Sequence, residues 1–266
     1  MTTPLNTRPI VGIGRVLLWS GGSLWIGRAT GRAQTHAHHA IQISMALTGR
    51  LRLWDDGAQA WRDHAVALVR PHRRHQFDGG GETVAQIFIE PETPQGRTLL
   101  QQADAAPIVD LPAEPIQPCL AALLNAFVAD EPDEDLIAIS QGLIAALCGQ
   151  LAPALGVDPR ISRAIEFIRA HLDGPVTLAQ AAAVAHLSPS RFRHLFVAQT
   201  GLSLRAYLLW ARVEAAVGAA MGGLSWTEAA QACGFADSAH LSRTCRRMFG
   251  IAPTMLVRPQ LAVAPR

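Results

Sequence analysis

Lysine is absent from this chain: all 23 basic residues are arginine. Every fixed positive charge is therefore a guanidinium, and with abundant alanine the bias points to a GC-rich genome. Long apolar runs are absent too. None reaches the roughly 18 residues that a membrane-spanning helix needs, so no membrane protein is expected. Met1 to Pro9 has no basic start followed by an apolar stretch, so no secretory signal is read there. Cysteine is scarce, and Cys119, Cys148, Cys233 and Cys245 form no C-x-x-C pair. Packed, reduced thiols are the expectation, with a redox pair of Cys119 and Cys148 as the minority reading. These absences fit a cytoplasmic protein.

What is present suggests two domains in 266 residues, with enough apolar side chains (49%) to build real cores. The net charge of +2 conceals a split: residues 1–158 sum to −5 and residues 159–266 to +7. A basic C-terminal part on an acidic partner is the electrostatic footprint of a nucleic-acid binder.

The basic part holds two copies of one device between Val176 and Pro253. Thr177 with Gln180, and Ser225 with Glu228, are spaced as capping boxes that satisfy free N–H groups at a helix start. Each opens a short alanine-rich helix that ends near a turn. The first turn centres on His186-Leu187, with Ser188 as N-cap and Pro189 at the first helical position. In the second, Gly234 supplies a positive φ and Asp237 caps the next helix. Helix, tight turn, helix is the plan in which the second helix enters the DNA major groove. Ser190, Arg193 and His194 fall outward on the first such helix, with Phe192, Leu195 and Phe196 inward. Ser238, His240, Ser242 and Arg243 decorate the second, with Leu241, Cys245, Met248 and Phe249 inward. Arginine grips guanine bidentately, and serine and histidine reach base edges or phosphates. Between the copies, Ser203 to Met221 reads as one helix about 28 Å long, against about 34 Å between successive major-groove faces.

Leu187-Ser-Pro-Ser-Arg-Phe-Arg-His-Leu-Phe196, Gly201, Arg212, Ala230-x-x-Cys233-Gly234-Phe235-x-Asp237, Arg243, Phe249-Gly250 and Pro253 together resemble the DNA-binding domain of the AraC/XylS family of bacterial transcription regulators. Two departures stand out. Cys245 replaces a common phenylalanine, and Thr254-Met-Leu-Val follows Pro253 where tyrosine-arginine is usual, which puts the last helix in doubt. The resemblance implies that Ser190, Arg193, His194, His240, Ser242 and Arg243 face bases, that Arg191, Arg205, Arg246 and Arg247 grip phosphates, and that Ser238 belongs to the same DNA-binding face. It also implies promoter DNA and RNA polymerase as partners, activation as the usual sign of regulation, and an N-terminal cupin-like barrel whose following helices dimerise.

The N-terminal half is consistent with that. Val16–Trp19, Ser23–Ile26, Ile41–Leu47, Arg50–Trp54, Gln59–Trp61, Ala65–Val69 and Thr83–Ile89 read as short strands, with a hairpin turn at Asp55-Asp56-Gly57. The expected fold is two-domain α+β: an antiparallel barrel over about 10–90, an irregular Glu90–Pro118, helices over about 116–151, a linker at 152–159 and an all-α domain at 160–258. Residues 1–151 form the effector-sensing and dimerisation domain on this reading.

His36-Ala-His38-His39, then Gln42, then Gly49 has the spacing of the first cupin motif, with Gln42 in the acid's place. His36 and His38, alternate on a strand, point inward together, and His75 supplies a third imidazole; His39 points outward and idles. Three readings stay open. A divalent metal (zinc, nickel, copper or iron) sits on His36, His38 and His75, with Gln42 beside it. Or an organic effector bonds the same groups. Or the spacing is a relic of the fold. The enzymatic alternative, a metal-dependent cupin, is disfavoured by the paired helix-turn-helix devices, so the chain is expected not to be an enzyme.

Overall fold

A computed structural model describes residues 11–149 and 156–257. Met1–Pro9, the first residues of the expected linker (152–155) and residue 258 lie outside the described residues.

The N-terminal half is built on β1 (Val11–Trp19), β2 (Gly22–Thr30), β3 (Ile41–Ala46), β4 (Leu51–Asp55), β5 (Ala60–His64), β6 (Val66–Val69), β7 (His75–Asp78) and β8 (Thr83–Ile89). They form an open pair of sheets rather than a closed barrel. With β9 (Ile108–Asp110) and β10 (Leu256–Val257), the larger sheet runs β10-β1-β2-β8-β3-β6-β9 and the smaller β5-β4-β7. The β4–β5 hairpin turns where expected, and Asp55 Oδ1 accepts from the Gly57 N–H at 2.8 Å.

Side-chain alternation assigns the faces of the large sheet. Ile41, Ile43 and Met45 of β3, with Leu24 of β2 and Ile87 of β8, form one core with Leu120, Leu123, Leu136 and Leu143. Those four lie on α2 (Gln117–Val128) and α3 (Asp133–Cys148), the two helices expected after the barrel. The segment read as irregular holds α1 (Pro94–Gln102), capped by the Thr93 side chain with Pro94 in the first turn. Thr-Pro at a helix start was a legible signal.

The C-terminal half is helical: α4 (Pro159–Ala170), α5 (Leu178–Val184), α6 (Pro189–Thr200), α7 (Leu204–Met221), α8 (Trp226–Ala232) and α9 (Ser238–Phe249). Both capping boxes form, and Ser188 and Asp237 cap α6 and α9. The tail in doubt resolves as a turn at Pro253–Met255 followed by β10, which pairs parallel with β1 through Gly12↔Leu256 and Ile13↔Val257. The edge strand β10 of the large sheet therefore comes from the helical C-terminal half of the chain.

Two separate cores serve the two devices. Phe192, Phe196, Tyr207, Ile161 and Ile168 pack α4–α6 against the start of α7. Trp210, Val213, Val217, Leu241, Cys245 and Phe249 pack α7–α9, and this core continues into Ala40 and Phe88 of the sheet domain. Gly218 of α7 lies against β1 so closely that a Cβ there would sit 2.3 Å from Leu18 Cδ1.

Candidate functional site

The second helices of the two devices, α6 and α9, present polar faces to solvent. On α6, Ser190, Arg191, Arg193 and His194 are exposed, while Phe192 and Phe196 are buried. On α9, Arg243, Arg246 and Arg247 are exposed, Ser238, His240 and Ser242 half-buried, and Leu241, Cys245 and Phe249 buried. Arg205 is exposed at the start of α7. The turn before α6 uses a non-glycine positive φ at His186 (53°), and that before α9 uses Gly234 (72°). The connecting helix has 18 residues, hence a length of about 27 Å at 1.5 Å per residue.

The second site lies where the sheets open. His36, His38 and His75 come together with one ligand atom from each inside a 4.8 Å span. The route differs from strand alternation. Residues 35–40 precede β3, and His36 pairs with His75 through an isolated antiparallel bridge between the sheets. Each ring's Nδ1 donates to a main-chain carbonyl: His36 to Gln34 O (2.8 Å), His38 to Ala40 O (2.9 Å), His75 to Arg73 O (2.9 Å). Gln42 projects from β3 on the face opposite Ile41 and Ile43. Its Oε1 lies 2.8 Å from His38 Nε2 and 3.2 Å from His75 Nε2, and its Nε2 donates to Ser44 Oγ at 2.7 Å. Burial holds His38 down to about 3 and His75 down to about 4; burial first, then neighbouring His75 and His38, holds His36 well below its usual value. All three are neutral ligands near pH 7.

Beside the histidines is a mainly apolar cavity of about 80 Å³, lined by Trp25, Phe77, Phe88, Met221 and Phe249, with His36, Gln42, Gln86, Arg15 and Arg28 as its polar lining. Met221 and Phe249 come from α7 and α9, so the C-terminal half contributes to the cavity lining.

The expectation that His39 points outward fails. It is 3% exposed and donates from Nε2 to Glu92 Oε2 at 2.9 Å, because residues 36–40 do not alternate as a strand would. Sequence reasoning also missed the buried acids that follow β8. Glu90 pairs with Arg169 of α4 and accepts from the Tyr207 hydroxyl at 3.4 Å, while Arg169 also reaches Glu214 of α7 at 3.2 Å. Burial pushes the Glu214 carboxyl up against the pull of Arg169. The available signal was a pair of acids directly after an apolar strand. Cys119 and Cys148 are free, and burial pushes the Cys148 thiol up, which disfavours thiolate chemistry.

Fold and sites together define a protein with two helix-turn-helix devices on one stalk, packed onto a β domain with a histidine-lined cavity. Residues 181–258 match a helix-turn-helix domain family. A probable transcriptional regulator, LumQ, of Photobacterium leiognathi is 33% identical over 91 residues, covering 33% of this chain and 36% of LumQ. The transcriptional activator NphR of a Rhodococcus species is 33% identical over 180 residues, covering 67% of this chain and 46% of NphR. The chain thus matches less than half the length of either relative. ToxT from Vibrio cholerae O395 shares the fold across both halves, with a TM-score of 0.55 at 12% identity over 92% of this chain and 94% of that one. A further ToxT structure, at 0.54 and 11% over 92% of each chain, is titled as bound to an unsaturated fatty acid. These likenesses support an AraC-type transcription regulator, the family match itself being confined to residues 181–258. Its relatives are regulators and not enzymes. No helix among the described residues is long and apolar enough to cross a membrane.

Proposed function

We propose that the protein is a cytoplasmic, effector-responsive transcription activator that binds promoter DNA through α6 and α9. The observation that carries this reading is the pair of capped helices, each with an exposed arginine-bearing face, joined by one rigid helix. In it Ser190, Arg193, His194, His240, Ser242 and Arg243 read bases, Arg191, Arg205, Arg246 and Arg247 hold phosphates, and Ser238 contacts DNA beside them. Residues 1–151 sense, 152–159 link and 160–258 bind DNA. RNA polymerase is the downstream partner.

The effector site is the cavity between the halves. Its aromatic walls suit an apolar body and its histidines suit a polar group or a metal ion, and the ToxT structure titled as bound to an unsaturated fatty acid supports a small-molecule effector for this fold. Because Met221 and Phe249 line this cavity, a ligand in it biases how the DNA-binding half is seated. Dimerisation uses the outer faces of α2 and α3, since the inner faces are occupied by the protein's own sheet. The test is the double substitution His36→Ala, His38→Ala. It abolishes induction in cells while DNA binding in a gel shift persists; full induction by the variant contradicts the reading.

A further inference from the structure

We propose that His36, His38 and His75 bind a divalent transition-metal ion through Nε2, with Gln42 Oε1 as fourth donor, and that this ion anchors the C-terminal cap of α9. The proposal rests on the reading of this cavity as the effector site and names its ligand class and its route of action.

The first argument is a proton count. A carbonyl only accepts, so each of the three Nδ1 atoms bonded to one carries the hydrogen, and each neutral ring is left with a bare lone pair on Nε2. Two of those lone pairs face Gln42 Oε1, itself an acceptor whose amide nitrogen is turned to Ser44. Buried acceptors therefore converge with no proton among them, an arrangement that a cation resolves. Carbonyls gripping Nδ1 are also the outer-shell partners that fix metal-bound imidazoles in one tautomer. Three imidazoles and one amide oxygen, with no carboxylate in the set, suit zinc, nickel, cobalt or copper rather than calcium or magnesium.

The second argument concerns what the trio touches. Gln34 links both systems: its carbonyl accepts from His36 Nδ1, and its N–H donates to the carbonyl of Gly250 at 2.9 Å. Gly250 is the left-handed C-cap of α9 (φ 70°), and its N–H donates to Arg246 O at 3.0 Å. A Cβ at Gly250 would stand 2.6 Å from His36 Nδ1 and 2.3 Å from Gln34 O, so the cap rests directly on the ligand. Phe249 stacks 4.7 Å from Trp25 and 6.2 Å from His38 between ring centres. α6, by contrast, belongs to the other core. Seating an ion thus fixes His36, Gln34 and Gly250 in line and steadies the second reading helix, leaving the first to its own packing.

The experiment uses the tag-free full chain, stripped with chelator and titrated with Co²⁺ and with Zn²⁺. The expected results are one ion per chain with visible Co²⁺ absorption, loss of both in His75→Ala, and at least about tenfold tighter binding in Gln42→Glu, whose carboxylate is the better donor. Hydrogen exchange on adding Zn²⁺ slows at residues 246–250 and is unchanged at 189–200. Binding without slowing at 246–250 overturns the anchoring. Absence of stoichiometric binding in both the native chain and Gln42→Glu overturns the metal site, and leaves the Gln42 amide turned with its nitrogen toward the rings. If induction is still lost in the His36/His38 variant while no ion binds, the effector-site reading stands and this inference alone fails.

Discussion

Arg193 and Arg246 carry the same charge in different surroundings, and their substitutions separate two kinds of contact. Arg193 is on the exposed face of α6 near its N-terminal end, where a recognition helix meets base edges. Arg193→Ala costs about 1–3 kcal/mol on the preferred sequence and relaxes preference at one base step. Arg246 is in the last turn of α9. Arg246→Ala weakens all sequences alike and lowers the salt-dependence slope by about 1. Gel shifts across a salt series with preferred and scrambled DNA distinguish the two; equal effects on both sequences for Arg193→Ala would remove it from base reading. The buried histidines set a different prediction at this scale. His38 and His75 bind a proton near pH 6.5 when unfolded but only near 3 and 4 when folded. The unfolded chain therefore holds more protons across pH 4–6.5, and stability falls as pH drops through that window. Each ring costs on the order of 3 kcal/mol by pH 4. Urea melts of chelator-treated protein at pH 7 and pH 5 measure this, and a stability independent of pH contradicts the buried neutral trio.

At the scale of elements, α7 does two jobs: its first half closes the core of α4–α6, and its second half packs on β1. Gly218 makes the second contact possible. Gly218→Ala trades roughly 1 kcal/mol of helix propensity against a small shift of Leu18, and is nearly neutral. Gly218→Leu overpacks the joint, costs about 1–3 kcal/mol and lowers the thermal midpoint. A midpoint unchanged in the leucine variant would show that α7 does not seat on β1. Legibility in the sequence follows locality at this scale. The caps Thr177/Gln180 and Ser225/Glu228 act within one turn, so their residues suffice to place α5 and α8. Gly234 announces its turn, whereas His186 adopts the same backbone region without glycine's signature. β7 has only four residues, three of them polar, and β10 pairs with a strand some 240 positions away, so neither leaves a clear local trace. The cavity was half legible: His36, His38 and Gln42 share a motif spacing and His75 follows as a further histidine, but His39 and the Glu90–Arg169–Glu214 group depend on how the halves meet.

For the molecule as a whole, one core joins the sheet domain to the second device, while the first is held to the sheet by polar contacts. Arg169 to Glu90, and Arg97 Nη2 to Gln199 Oε1 at 3.1 Å, are of that kind. On the proposed reading, a ligand in the cavity would act on two devices that are attached unequally. The account depends first on both devices reading DNA from a single chain. Selecting a binding site from random duplexes and mapping it by hydroxyl-radical footprinting tests this most directly. The result predicted is two protected stretches about 10 base pairs apart per chain, the one under α9 lost in Arg243→Ala and the one under α6 kept. A single protected stretch that Arg243→Ala leaves intact would contradict it.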